Sequence, residues 1–138
     1  MHIISIYPAY VNAILEGRKT FECRKSSIGL RPGDMLALYA TSPTKAILGQ
    51  AQVVALHRDT PGTLWDRFHQ LTAVTEVDYF SYYAKSDEAV LIELENIVRF
   101  DEPVTLTALR EAETRFSPPQ TARKLSDALQ SCLPRRVA

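Results

Sequence analysis

Lys19, Glu22 and Arg24 stand within GRKTFECRK, positions 17–25, where four of nine residues are basic. Lys19 and Arg24 supply cationic donors for phosphate oxygens, and a guanidinium can grip them bidentately. Lys25 closes the basic run. Glu22 can orient the Arg24 guanidinium, accept from a base amino group, or act as a general base. The residues alternate as in a strand, so Thr20, Glu22 and Arg24 share one face and Phe21 and Cys23 the other. Lys19 points away from Glu22 in an ideal strand. It reaches the same site only if the chain bends after Gly17, and its expected place is the rim. The same residues also fit an ion-pair ladder across a solvent-facing strand.

A second candidate is YATSPTK, positions 39–45. Tyr39 ends an apolar run, Thr41 and Ser42 bring hydroxyls, Pro43 stiffens the loop and Lys45 adds a cation. A tyrosine, a lysine and a nearby hydroxyl can divide acid and base roles among them. The plainer alternative is a turn with one core tyrosine. A third candidate is SPPQT, positions 117–121. Two prolines hold the chain extended, and Gln120 and Thr121 fall where the spacing predicts a helix to begin. Amides exposed there favour an anion, although Thr121 also serves as a simple N-cap.

These candidates need elements to carry them. HIISI at 2–6 is β-branched and reads as a buried strand. A helix follows, with Pro8 in its first turn and Gly17 at its stop. RPGD at 31–34 is a turn. MLALYA and AILGQAQVVAL read as two strands, with a bulge expected at Gly49. Positions 63–85 read as helical and aromatic-rich, with Trp65, Phe68, Phe80 and Tyr83 packing helix against sheet. EAVLIELENIVRF is a long strand, LTALREAE a short helix, and TARKLSDALQSCL a helix with Leu125, Ala128, Leu129 and Cys132 on one face. The mixture predicts an α+β fold: one domain over 1–138 with a small, mostly antiparallel barrel, flanking helices and a frayed last few residues.

Bulk properties narrow the function. The 138 residues carry 16 basic and 16 acidic side chains, a formal net charge of zero. Non-specific coating of long duplex DNA is not expected, but a local basic site on a neutral body is compatible with this balance. Cys23 and Cys132 have no metal-ligand spacing and read as the reduced thiols of a cytoplasmic protein. No apolar run has the length of a membrane span. His2, His57 and His69 are isolated from Cys and carboxylate clusters, so neither a metal nor any other cofactor is expected.

SIYPAYVNAILEGRKTFECRK, RPGDMLALYATSPTKAILGQAQV and SPPQT together resemble the ASCH domain family, a branch of the PUA-like barrels. The resemblance runs through most of the chain. It implies a PUA-like barrel whose cleft is lined by the G-x-K-x-x-E-x-R strand and the Y-x-x-S-P loop, with the 117–121 segment returning to it. It implies RNA, a nucleotide or a modified nucleoside as ligand, with Tyr7 and Tyr10 flanking the cleft and Tyr7 placed to stack a base. Binding would then use Lys19, Glu22, Arg24, Lys25, Thr41, Ser42, Tyr7 and Gln120. Some relatives are ribonucleases, and a metal-independent ribonuclease here would use Tyr39, Lys45 and Thr121. Others are acetylcytidine amidohydrolases, but Glu22 stands where that branch needs a threonine. The sequence names no protein partner.

Overall fold

The computed structural model describes residues 1–135; the expected frayed tail lies in part outside them. Its strands are β1 (His2–Ile6), β2 (Phe21–Arg24), β3 (Met35–Ala40), β4 (Ala46–Asp59), β5 (Ala89–Thr105) and β6 (Ala122–Lys124). Its α-helices are α1 (Pro8–Leu15), α2 (Pro61–Phe68), α3 (Glu76–Tyr82), α4 (Leu106–Ala112) and α5 (Asp127–Gln130). The strands form one six-stranded sheet in the order β2-β5-β4-β3-β1-β6. All pairs are antiparallel except β1 with β3, where Ser5 lies opposite Tyr39. The sheet is mixed and curls into a half-barrel with helices on its flanks, in keeping with the α+β expectation.

The curl originates in the long strands. β4 and β5 pair along most of their length, and the register shifts at three places, one of them between Ile47 and Gly49. Each shift adds local twist and bends the ribbon. Gly49 is required there: a Cβ would run into the Val98 carbonyl oxygen and lie 2.7 Å from Leu15 Cδ2.

Strand alternation builds two cores on opposite faces. Ile4, Ile6, Leu36, Leu38 and Ala40 join Val11 and Ile14 of α1 on one face. Ile3, Ala37 and Tyr39 join Phe116, Leu109 and Leu129 on the other. A third cluster seats Leu64, Tyr79 and Tyr83 against Phe21 and Leu91. Each fully buried aliphatic side chain contributes about 1.5–3 kcal/mol.

Two helical expectations are corrected. The 63–85 stretch is broken: a 3₁₀ turn over His69–Leu71 separates α2 from α3, and Thr75 caps α3 by accepting from Asp78 N. The 121–133 stretch begins as β6, and only Asp127–Gln130 is α-helical, capped by Ser126. The outer edge of β1 is the cause. It offers unpaired backbone groups, and Ser5 N donates to Thr121 O at 3.0 Å while Leu125 N donates to Met1 O. No helix among the described residues is long and apolar enough to cross a membrane.

Candidate functional site

The half-barrel does not close, and β2 and β6 remain the two ends of the sheet. A cavity of about 510 Å³ lies at that seam, within the range of small-molecule sites. One wall is β2, with Glu22, Cys23 and Arg24. Facing it are Ser5 and Ile6 at the end of β1 and the segment Pro119–Thr121. Tyr7 and Tyr10 of the α1 turn, and Val74, Asp78, Tyr79 and Tyr82 around α3, complete the enclosure with Lys19 and Thr41.

Arg24 bridges the seam. Its Nη2 donates to the Ser5 carbonyl at 2.8 Å. Its Nε donates to Glu22 Oε2 at 2.9 Å, and Nη2 lies 2.7 Å from the same oxygen. The other Glu22 oxygen is 3.5 Å from Lys19 Nζ. Ser5 ties in the third wall, since its hydroxyl donates to Pro119 O at 2.6 Å. From the far side, the Tyr83 hydroxyl donates to Arg24 O and holds β2 against α3.

Lys19 is not at the rim. It is 1% exposed and lies at the floor. Gly17, at φ 81°, turns the chain, and regular strand begins only at Phe21. Strand alternation therefore does not govern Lys19. The alternation does hold from Phe21 onward: Phe21 and Cys23 pack toward the third cluster, and Glu22 and Arg24 turn to the seam. Burial pushes the Cys23 thiol up to about 12, with the Lys19 ammonium opposing. The Tyr10 and Tyr82 phenols are also raised, chiefly by burial.

The remaining candidates divide. Tyr7, Thr41, Gln120 and Thr121 border the cavity with Lys19, Glu22 and Arg24. Gln120 and Thr121 do so from an extended segment entering β6, not from the helix start expected. Tyr39, Ser42, Lys45 and Lys25 do not line it. Tyr39 is one strand from Ser5, but alternation along β3 sends its ring, 3% exposed, into the second core. Burial raises its phenol, with Arg110 opposing. Ser42 and Lys45 are exposed on the turn beyond Thr41, where Lys45 N donates to Thr41 O. Lys25 lies behind the wall, its Nζ 4.7 Å from the Tyr82 ring centroid.

Ser5, Asp78 and Tyr82 are cavity residues that the motifs did not reveal. Ser5 reads as part of a β-branched run, and its role depends on partners more than a hundred residues away. Tyr82 had one signal, its place one residue from core Tyr83 on a helix, which turns its own ring toward solvent. Chemically, the cavity combines a floor of buried charge with tyrosine rings at its mouth, where Tyr7 is 70% and Tyr82 43% exposed. Among the described residues no group of three or more His, Cys, Asp or Glu side chains is arranged to hold a metal ion.

Comparison with known proteins gives a consistent set of relatives. The family model for the ASCH domain matches residues 4–98. A Zymomonas mobilis protein, ASCH domain-containing ribonuclease, is 29% identical over 119 residues, covering 86% of this chain and 80% of the relative. The crystal structure of ASCH from Zymomonas mobilis superposes with a TM-score of 0.89 at 29% identity, over 95% of this chain and 91% of that one. A tyrosine-to-phenylalanine variant of the Zymomonas mobilis protein superposes with a TM-score of 0.87 at 28% identity, over 94% of this chain and 93% of that one.

Proposed function

The chain belongs to the ASCH domain family, and on that premise we propose that it binds single-stranded RNA or a modified nucleotide in the seam cavity. One observation carries this reading. Lys19, Glu22 and Arg24 are nearly buried, with side-chain exposures of 1%, 7% and 12%. Two cations against one carboxylate leave one positive charge in excess within this buried trio; the second carboxylate of the lining, Asp78, sits on an exposed residue of α3. Burying unbalanced charge is costly, and an anionic ligand relieves that cost. Tyr7 and Tyr82 at the mouth supply faces on which a base can stack. The protein then works in the cytoplasm as one domain spanning the chain.

Fluorescence anisotropy with a labelled single-stranded RNA tests the proposal. Arg24→Gln should weaken binding at least about tenfold, the scale of one hydrogen bond to a charged group. Arg135→Ala, remote from the cavity, should bind as wild type does. Equal losses from both changes would contradict the site.

A second reading, ribonuclease activity, is favoured by the name of the Zymomonas mobilis relative. Here Tyr39, Lys45 and Thr121 would share the proton transfers of an internal 2′-hydroxyl attack, and Arg24 would hold phosphate. The Tyr39 phenol, raised further by burial, carries its proton at neutral pH, which suits the acid role. Thr121 borders the cavity, Lys45 is exposed on the turn beyond Thr41, and the Tyr39 ring is packed in the second core. Amidohydrolase chemistry has little support, because Glu22 occupies the expected threonine position with its carboxylate already shared between two cations.

A further inference from the structure

Lys19 and Arg24 look alike in sequence, as two cations flanking one glutamate, but their hydrogen-bonding capacity is spent differently. An ammonium has three N–H donors. Lys19 Nζ donates to Thr72 O at 2.7 Å. It is 3.5 Å from Glu22 Oε1 and 5.0 Å from the centroid of the Tyr10 ring, so the remaining directions meet a carboxylate and a ring face. Thr72 ends the 3₁₀ turn that leads into α3, Tyr10 belongs to α1, and Glu22 belongs to β2. Lys19 thus joins three walls of the cavity. Turning it toward a ligand would leave the carbonyl of Thr72, a residue with no exposed surface, without its donor, which is a penalised arrangement.

A guanidinium has five N–H donors. Arg24 commits Nε and Nη2 to Glu22 and Ser5. Its Nη1 donates to no group among the described residues. Glu22 also holds the guanidinium plane from behind, so the fork cannot swing freely.

Building on the nucleotide-binding reading above, we propose that Lys19 is a positioning residue and that the Nη1 edge of Arg24 is the only contact these two cations make to the ligand, one phosphate group. Lys19 fixes Glu22 and the α3 wall; Glu22 fixes Arg24; Arg24 meets the phosphate. The cavity floor therefore takes a single phosphate of a nucleotide unit, not a polyphosphate chain.

Two measurements test this. In the wild-type protein, side-chain nitrogen NMR is followed while a short single-stranded RNA is added. Arg24 guanidinium signals should shift, and the Lys19 ammonium signal, slow to exchange because it is buried, should stay in place. The salt dependence of binding is then compared among variants. Arg24→Gln should reduce the log–log slope by about 0.7, the value for one phosphate on a single strand. Lys19→Met should weaken binding while leaving the slope unchanged. A shifted Lys19 signal, or a loss of about 0.7 in slope with Lys19→Met, overturns the positioning role. An unchanged slope in Arg24→Gln overturns the phosphate contact. If Lys19→Met fails to fold, the wild-type spectra decide. RNA that neither binds nor moves any cavity signal overturns the binding reading itself, and this proposal with it.

Discussion

Cys23 borders the cavity with a thiol that burial moves from its ordinary 9.0 up to about 12. The neutral thiol is favoured in the folded chain. Its contribution to stability is fully present below about pH 9 and is lost as pH rises toward about 12. Urea midpoints should fall across that window, and Cys23→Ala should fall less steeply. Tyr79 and Tyr83, also raised by burial, keep some of the alkaline loss in the variant. Parallel curves for the two proteins would contradict this account. At the same scale, Tyr39→Phe removes one hydroxyl from a ring that already packs in the core. RNA binding should survive it. If the chain cleaves RNA, single-turnover rates should drop by about a hundredfold or more, the usual loss of acid–base help, and Lys45→Ala should do likewise.

Gly49 and α3 govern the site as elements. The bulge at Gly49 lets β4 curl under α1 and pass close to the β5 backbone. Gly49→Ala should destabilise the fold by about 1–3 kcal/mol through overpacking, read from chemical denaturation. A neutral result would mean that the curl tolerates a side chain there. The α3 wall is held by two tyrosine bonds, Tyr79 to Pro61 O and Tyr83 to Arg24 O, each 2.8 Å, while Tyr82 is left at the mouth. Tyr82→Ala should therefore spare stability and weaken RNA binding by the about 1–3 kcal/mol of one stacked base. Unaltered affinity would remove Tyr82 from the stacking role.

The whole molecule has zero formal charge, so any RNA affinity must arise locally. Salt should weaken binding with a slope set by the cavity phosphate and the few surface cations that a bound strand meets, corresponding to about two to four phosphates in all. A steeper dependence would indicate a charged track elsewhere on the surface. For the ribonuclease reading, cleavage should persist in excess chelator and leave 2′,3′-cyclic phosphate ends. A fully 2′-deoxy oligonucleotide should stay intact. Loss of activity on chelation, or cleavage of that oligonucleotide, would refute the proposed internal attack.

Local rules in the sequence determined most of the scaffold. β-branched residues marked β1 and β5, a short apolar run marked β3, Pro8 and Gly17 bracketed α1, a lone glycine marked the bulge, and alternation in TFECR put Glu22 and Arg24 together. The quoted motifs also carried the family. Tertiary structure decided what depends on distant partners. Ala122–Lys124 became a strand because the β1 edge needed pairing, against the helical pattern of the segment. Lys19 turned inward because the chain bends at Gly17 and Thr72 offers a buried carbonyl. Tyr39 left the cavity because its neighbours on β3 set its face toward the second core. Ser5 and Tyr82 entered the site through contacts that no local pattern encodes. Periodicity reports which face of an element is apolar; which elements meet at a seam is set by how the sheet curls, and that is where the candidate site lies.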